Sequence, residues 1–320
     1  MSGPVTPPLR LGTRGSPMAI VQSVQVARLI TQRTGQPVQL VQVTTFGDVS
    51  RARISDIGGT GVFVSGLRER LLAGELDLAV HSLKDLPTAD ADGLVLAAVP
   101  ARDDPRDALV TADGAKLADL PAGARIGTGA PRRAAQLRLL RPDVTPVPVR
   151  GNAGTRLAKV SSGELDALVL GYAGLSRISR LDAVAEVLEP DQMLPAPGQG
   201  ALAVECRVGS VALRELLGTA DDPSSRAAVT AERSLLAALQ GGCSAPVGAY
   251  ASHDQATGMV HLTAAVFDPV GAGAIRATGT ADAMGAASLG REIAEELLRR
   301  GAGNYITVPQ ARSSDVGGSQ

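Results

Sequence analysis

The chain has 320 residues and a formal charge of −1, with 44% apolar and 20% charged residues. That is enough apolar surface for two or three cores at roughly 100–200 residues per domain, and too much for an intrinsically disordered chain. With no Trp, 3 Phe and 3 Tyr, it lacks aromatic platforms for single-stranded nucleic acid, and its near-zero charge offers no field for DNA or an anionic membrane.

Met1-Ser-Gly-Pro-Val-Thr-Pro-Pro8 has neither the charged region nor the apolar region of a secretory leader, and no apolar run approaches the ~18 residues of a membrane span. A soluble cytoplasmic protein is expected, with Cys206 and Cys243 as reduced thiols. Leu9–Arg14 reads as a short strand ending in Gly-Thr, and Pro17 opens a helix carrying Met18, Ile20, Val21, Val24, Leu29 and Ile30. Ala73-Gly-Glu-Leu-Asp-Leu-Ala-Val80 reads as a helix end, a Gly and a buried strand. His81-Ser-Leu-Lys-Asp-Leu-Pro87 follows at the strand's carboxyl end, where open α/β sheets bind ligands. The two prolines of 100–105 break the periodicity.

Both opening patterns then recur. Arg125-Ile-Gly-Thr-Gly129 with Pro131 repeats the first, and Ser162-Gly-Glu-Leu-Asp-Ala-Leu-Val169 repeats the second. Two similar α/β domains with mainly parallel sheets are therefore predicted. Leu194-Pro-Ala-Pro-Gly198 is a second break, Ala201–Cys206 a strand, and Ala220-Asp-Asp-Pro223 a third break. Beyond it a helix over 222–239, strands over 247–251, 261–267 and 274–280, and a helix over 287–300 make a smaller α+β domain. The polar stretch 312–320 is expected to be a flexible tail.

A tight turn entering a helix presents N–H groups and the positive end of its dipole to anions. Here such turns also carry Arg14, and Arg132 with Arg133. Between Arg125 and Arg180 ten basic residues face three acids, Asp143, Glu164 and Asp166. That local +7 suggests an anionic ligand held between domains, although Arg138, Arg141 and Arg180 equally fit a solvated helix face. Only Lys84, Lys116 and Lys159 are lysines; the other 28 basic residues are arginine, whose planar fork suits carboxylates. Lys84 and Asp85 are either a surface pair in a turn or a catalytic acid with a cationic neighbour. Burial would raise the aspartate's pKa and the lysine would lower it. Cys243, in Gln240-Gly-Gly-Cys-Ser-Ala-Pro246, is either a packing residue or an exposed reactive thiol. His81 reads as structural, since no metal-ligand spacing surrounds it.

Six runs in register resemble the porphobilinogen deaminase (hydroxymethylbilane synthase) family over roughly residues 9–310. They are 9–17, 81–87, 127–133, Val149-Arg-Gly-Asn-Ala-Gly-Thr-Arg-Leu157, Pro195–Ala201 with Glu205-Cys-Arg207, and Gly241–Pro246. The resemblance implies two periplasmic-binding-protein-like domains, residues 9–100 with 200–219 and residues 105–195, plus a third over 224–310 that bears the cofactor cysteine. It implies condensation of four porphobilinogen molecules, each losing ammonia, on a dipyrromethane cofactor thioether-linked to Cys243. It further implies that Asp85 manages charge as ammonia leaves. Arg14, Ser16, Ser82, Lys84, Thr128, Arg132, Arg133, Arg150, Arg156, Arg177 and Gln199 would bind the acetate and propionate groups. A monomer with a small-molecule substrate and no metal, nucleic-acid or membrane partner is expected. Many relatives have Ser where Ala130 stands and Lys where Thr60 stands, in a Gly-rich stretch (57–61) that reads as a lid. The competing reading is a non-catalytic polycarboxylate-binding protein of the same fold, which would have no use for Cys243.

Overall fold

The computed structural model describes residues 7–44, 61–241 and 245–306. Thr60, Cys243 and the tail over 312–320 lie outside the described residues. β1 (Leu9–Arg14) enters α1 (Pro17–Thr34) through Ser16, whose hydroxyl accepts from the Ala19 N–H at 3.3 Å while Pro17 fills the first turn. β2 (Val38–Val43), α2 (Gly61–Leu72), β3 (Leu78–Ser82) and β4 (Leu94–Ala98) follow. The chain then crosses to a second sheet. This is built from β5 (Asp107–Thr111), β6 (Arg125–Thr128), α3 (Pro131–Leu140), β7 (Thr145–Pro148), α4 (Ala153–Ser161), β8 (Ala167–Gly171), α5 (Tyr172–Arg177) and β9 (Val184–Leu188). It crosses back into β10 (Leu202–Arg207) and α6 (Val211–Gly218). The last part is α7 (Pro223–Ala238), the antiparallel β11 (Val247–Asp254), β12 (Met259–Phe267) and β13 (Ala274–Asp282), then α8 (Ala286–Arg299) and α9 (Gly303–Ile306).

The first two sheets are topological equivalents, ordered β2-β1-β3-β10-β4 and β7-β6-β8-β5-β9. In each, the first three strands run parallel and the fourth is antiparallel to both neighbours. Four strands of each sheet therefore point one way, and the reversed one is the strand that a crossing delivers. The sequence echoes now have a structural meaning: β1 matches β6, and β3 matches β8. The architecture is two periplasmic-binding-protein-like domains and a smaller three-stranded α+β domain, as the resemblance implied; the sheets, expected to be mainly parallel, are mixed because each crossing delivers one reversed strand.

Each sheet is buried on both faces, as a largely parallel sheet requires. In the first, Leu11, Ile30, Leu78 and Val204 fill one side, and Leu67, Leu71, Leu76 and Ala79 the other. In the second, Leu109, Ile126, Leu137 and Val169 lie opposite Leu157, Leu165, Leu168 and Leu170. The third domain covers one sheet face with α7 and α8. It docks on the others through Val229, packed with Leu83, Leu86 and Val99, and through Ala265 and Phe267, packed with Ala135 and Leu194.

The two crossings touch at Gly200, whose φ is +87°. A Cβ there would lie 2.4 Å from the Asp103 carbonyl oxygen, so a side chain would force the crossings apart. Glu232 of α7, wholly buried, holds both crossings. It accepts from Arg102 Nη1 at 2.7 Å and Nη2 at 3.0 Å, from the Gly198 N–H at 2.6 Å, and from the Ala251 N–H of β11 at 2.7 Å.

Candidate active site

The carboxyl ends of the parallel strands of both sheets supply the residues between the two domains. β3 runs into a 3₁₀ turn, Leu83–Asp85, which places Lys84 and Asp85. β6 ends at Thr128 and reaches Arg132 and Arg133 in the first turn of α3. β8 passes into α5, which ends at Arg177. Asn152 caps α4, taking the Thr155 N–H at 2.8 Å, so that Arg156 stands on its first turn.

Two cavities meet here. One, of about 200 Å³, is lined by Ser82, Lys84, Asp85, Arg133, Arg156, Arg177 and Gln199, with Met18 and Gln22 of α1. The other, of about 180 Å³, shares Lys84, Asp85, Arg133 and Gln199, adds Gly129, Ala130 and Arg132, and reaches Leu236, Ala245 and Val247 of the third domain. The Lys84–Asp85 turn thus stands at the junction of a space between the first two domains and a space beside the third.

Behind the cavities lies a buried charge cluster. Asp107, at the start of β5, accepts from Arg132 Nη1 at 2.7 Å, from Arg133 Nη2 at 2.8 Å, and from Gln199 Nε2 at 2.8 Å. Burial alone would raise the Asp107 carboxyl; the two guanidinium groups overturn that and hold it well below the usual carboxylate range. Gln199 Oε1 in turn accepts weakly from Lys84 Nζ at 3.4 Å and Arg133 Nη2 at 3.4 Å. Arg132 also donates to the Leu194 carbonyl. One glutamine on the second crossing therefore ties Lys84 of the first domain to the arginine pair of the second.

The two neighbours differ in their surroundings. Asp85 is exposed to the cavities. Burial pushes the Lys84 ammonium down to about 8, with Asp85 opposing and Arg133 reinforcing. Arg156 is held low by burial and then by Arg133; its Nε donates to the Gly151 carbonyl at 2.8 Å, and among the described residues no carboxylate pairs with it. Lys84, Arg132, Arg133 and Arg156 against Asp107 and Asp85 leave two cations in excess in a partly desolvated cleft. Such a cleft favours an anionic ligand, since burying unpaired charge is costly. The carboxylate-rich dipyrromethane that the resemblance implies fits this donor set.

Not every predicted residue meets here. Arg177 lines the first cavity, but its Nε donates to Asp103 at 2.9 Å and its Nη2 to the Gly200 carbonyl at 2.7 Å, so it also braces the crossings. Arg14 ends β1, Ser16 caps α1, the Thr128 hydroxyl accepts from the Ala130 N–H at 3.2 Å, and Arg150 is an exposed loop residue. None of these four lines either cavity. The +7 segment is partly surface pairing: Arg125 with Asp166, Arg141 with Asp143, Lys159 with Glu164, Arg180 with Asp182. Arg138 donates to the Pro269 carbonyl of the third domain. Sequence reasoning missed Asp107, and also Gln22, which donates to Ser82 Oγ at 2.7 Å. Met18 and Gln22, four apart on α1, share a helix face; that spacing was the available signal.

Residues 9–215 match the family model described as porphobilinogen deaminase, dipyromethane cofactor binding domain, and residues 226–299 the model described as porphobilinogen deaminase, C-terminal domain. A porphobilinogen deaminase of Thermobifida fusca is 58% identical over 310 residues, 94% of this chain and 96% of that protein. One from Streptomyces coelicolor is 54% identical, over 93% and 97%. Among solved structures, a periplasmic binding protein of Salmonella typhimurium with high arginine specificity aligns over 67% of this chain and 92% of its own, at 16% identity and a TM-score of 0.39.

Proposed function

The chain belongs to the porphobilinogen deaminase family, and on that premise we propose how its own residues divide the work. It is a transferase of tetrapyrrole and haem biosynthesis that condenses four porphobilinogen molecules head to tail, with release of ammonia, into hydroxymethylbilane. Its cofactor is dipyrromethane, which supplies the pyrrole end onto which units are added.

Cys243 is the proposed attachment point. Its Gly-Gly-Cys context supports this, as does the second cavity: Leu236, Ala245 and Val247, which lie on either side of Cys243 in sequence, line it together with Asp85. A thiolate is the natural nucleophile toward an electrophilic methylene carbon. Lys84, Arg132, Arg133, Arg156 and Arg177 bind acetate and propionate groups, with Ser82 and Gln199 as neutral contacts. Arg14, Ser16, Thr128 and Arg150 complete the set by resemblance. Asp85 faces the reacting rings and stabilises the positive charge that develops as ammonia departs; a fixed carboxylate does this better than water because it needs no reorganisation. The observation that carries this reading is the meeting of both cavities at the Lys84–Asp85 turn. The enzyme works as a monomer in the cytoplasm, where reducing conditions keep Cys206 a thiol and keep Cys243 a thiol until the thioether forms.

Purified protein given porphobilinogen should release four ammonia molecules for each linear tetrapyrrole formed. Binding without ammonia release would favour the non-catalytic polycarboxylate-binding reading instead.

A pH dependence follows from Lys84. A ligand carboxylate beside its ammonium favours the charged form and raises a pKa that burial has lowered to about 8. Binding therefore takes up a proton above that pH, and affinity falls as pH rises through about 8. KM for porphobilinogen should climb by up to ~10-fold per pH unit there, and Lys84→Arg, charged throughout, should remove that component. A KM profile identical in the two proteins would contradict the role given to Lys84.

A further inference from the structure

We infer that Arg233, on α7 of the third domain, is a positioning residue for the catalytic turn: it clamps the backbone that aims Asp85. The inference rests on the role proposed above for Asp85. The Leu83–Asp85 turn closes with a 3₁₀ hydrogen bond from the Leu86 N–H to the Leu83 carbonyl at 3.1 Å. The carbonyls that follow it, of Leu86 and Pro87, need donors of their own. Arg233 Nη1 donates to the Leu86 carbonyl at 2.9 Å and, more weakly, to Leu83 at 3.4 Å; Nη2 donates to Pro87 at 2.8 Å. These carbonyls bracket Lys84 and Asp85 on both sides.

The helix that carries Arg233 is fixed against the same turn. Val229, one helical turn earlier, packs with Leu83 and Leu86. The second crossing presses from another side: the Leu83 N–H donates to the Ala201 carbonyl at 3.0 Å, and a Cβ on Gly198 would lie 3.4 Å from the Lys84 nitrogen. Arg233 lines neither cavity, so it acts on Asp85 through the backbone and not on the substrate. A planar guanidinium can serve several carbonyls at once, which a lysine's point charge does only in part. The consequence is a mechanical link: the domain proposed to carry the cofactor also sets the carboxylate beside which the chemistry occurs.

The test uses full-length holoenzyme. Arg233→Met keeps the aliphatic stem and removes the donors, and Arg233→Lys restores one cationic donor. Both are measured beside Asp85→Asn for intact mass, kcat and KM. Loaded Arg233→Met should lose about 10- to 100-fold in kcat, the scale of a misplaced catalytic group. Its KM should rise by less than kcat falls, because Arg132, Arg133 and Arg156 are untouched and only Lys84 shares the released turn, and Arg233→Lys should recover part of kcat. Should only Arg233→Met fail to load its cofactor, reduced kcat in loaded Arg233→Lys supports the clamp and normal kcat overturns it. Failure of both variants to fold or load assigns Arg233 to fold maintenance and overturns the inference. Impaired Asp85→Asn beside a normally active, loaded Arg233→Met removes the clamp alone. A near-normal Asp85→Asn removes the reading on which it rests.

Discussion

Asp85→Asn is expected to fold, to carry dipyrromethane, and to lose at least ~10²-fold in kcat, the scale of a single electrostatic catalytic group. The substitution keeps the side chain's shape and the turn's backbone contacts. Among the described residues, it removes the one negative charge that both cavities share with Lys84. Each condensation creates positive charge, first as the amine departs and again when the next pyrrole attacks, so the loss should recur at every addition. Asp85→Glu keeps the charge at a displaced position and should retain part of the activity. The measurement is product formation per cofactor-loaded molecule. Near-normal kcat in loaded Asp85→Asn would move the role elsewhere and leave Asp85 a turn residue.

Glu232→Ala is expected to have the largest effect on stability. The carboxylate is fully buried and binds Arg102 bidentately, together with the Gly198 and Ala251 N–H groups. Truncation leaves a nearly buried guanidinium without its counter-charge and removes the acceptor of two backbone N–H groups. That should destabilise by ~3–5 kcal/mol in denaturant unfolding, the range for breaking a buried ion pair. The pair links the third domain to both crossings, so the domains should also separate more readily, with earlier proteolysis near 99–106 and 189–201. A loss of less than ~1 kcal/mol would place Glu232 with ordinary surface pairs.

Much of this architecture could be read from the chain. The two echoes, β1 with β6 and β3 with β8, announced equivalent sheets because strand ends and helix starts are written locally, in Gly-Thr turns and a following proline. The prolines near 100–105 and 195–197 lie in the crossings for the same reason. Asp85, Lys84 and the arginines of α3 and α4 stood out because they follow buried strands or sit beside glycines. What could not be read was pairing at long range. Asp107 looked like any acid after a proline-rich break, and nothing near it signals that Arg132 and Arg133, 25 and 26 residues on, close around it. Glu232 and Arg102 are 130 residues apart, and Arg233 and the Leu83 carbonyl 150. Such contacts depend on how the domains dock, which no local period encodes. The same limit applied to net charge by segment: Arg125, Arg141, Lys159 and Arg180 pair on the surface, and Asp107 and Asp103, from outside the segment, sit against Arg132, Arg133 and Arg177, so the excess in the cleft is far smaller than +7.

Intact mass of the purified protein tests the covalent primer most directly. Wild-type protein should be heavier than its 32.5 kDa sequence by two linked pyrrole units. Cys243→Ser should lack that increment, and Cys206→Ser should keep it, because Cys206 is buried within β10, in the first domain's core. Added porphobilinogen should then raise the loaded protein's mass in steps of one ring. Wild-type protein of unmodified mass that converts porphobilinogen at full rate would contradict the assignment of Cys243 and of a tethered chain.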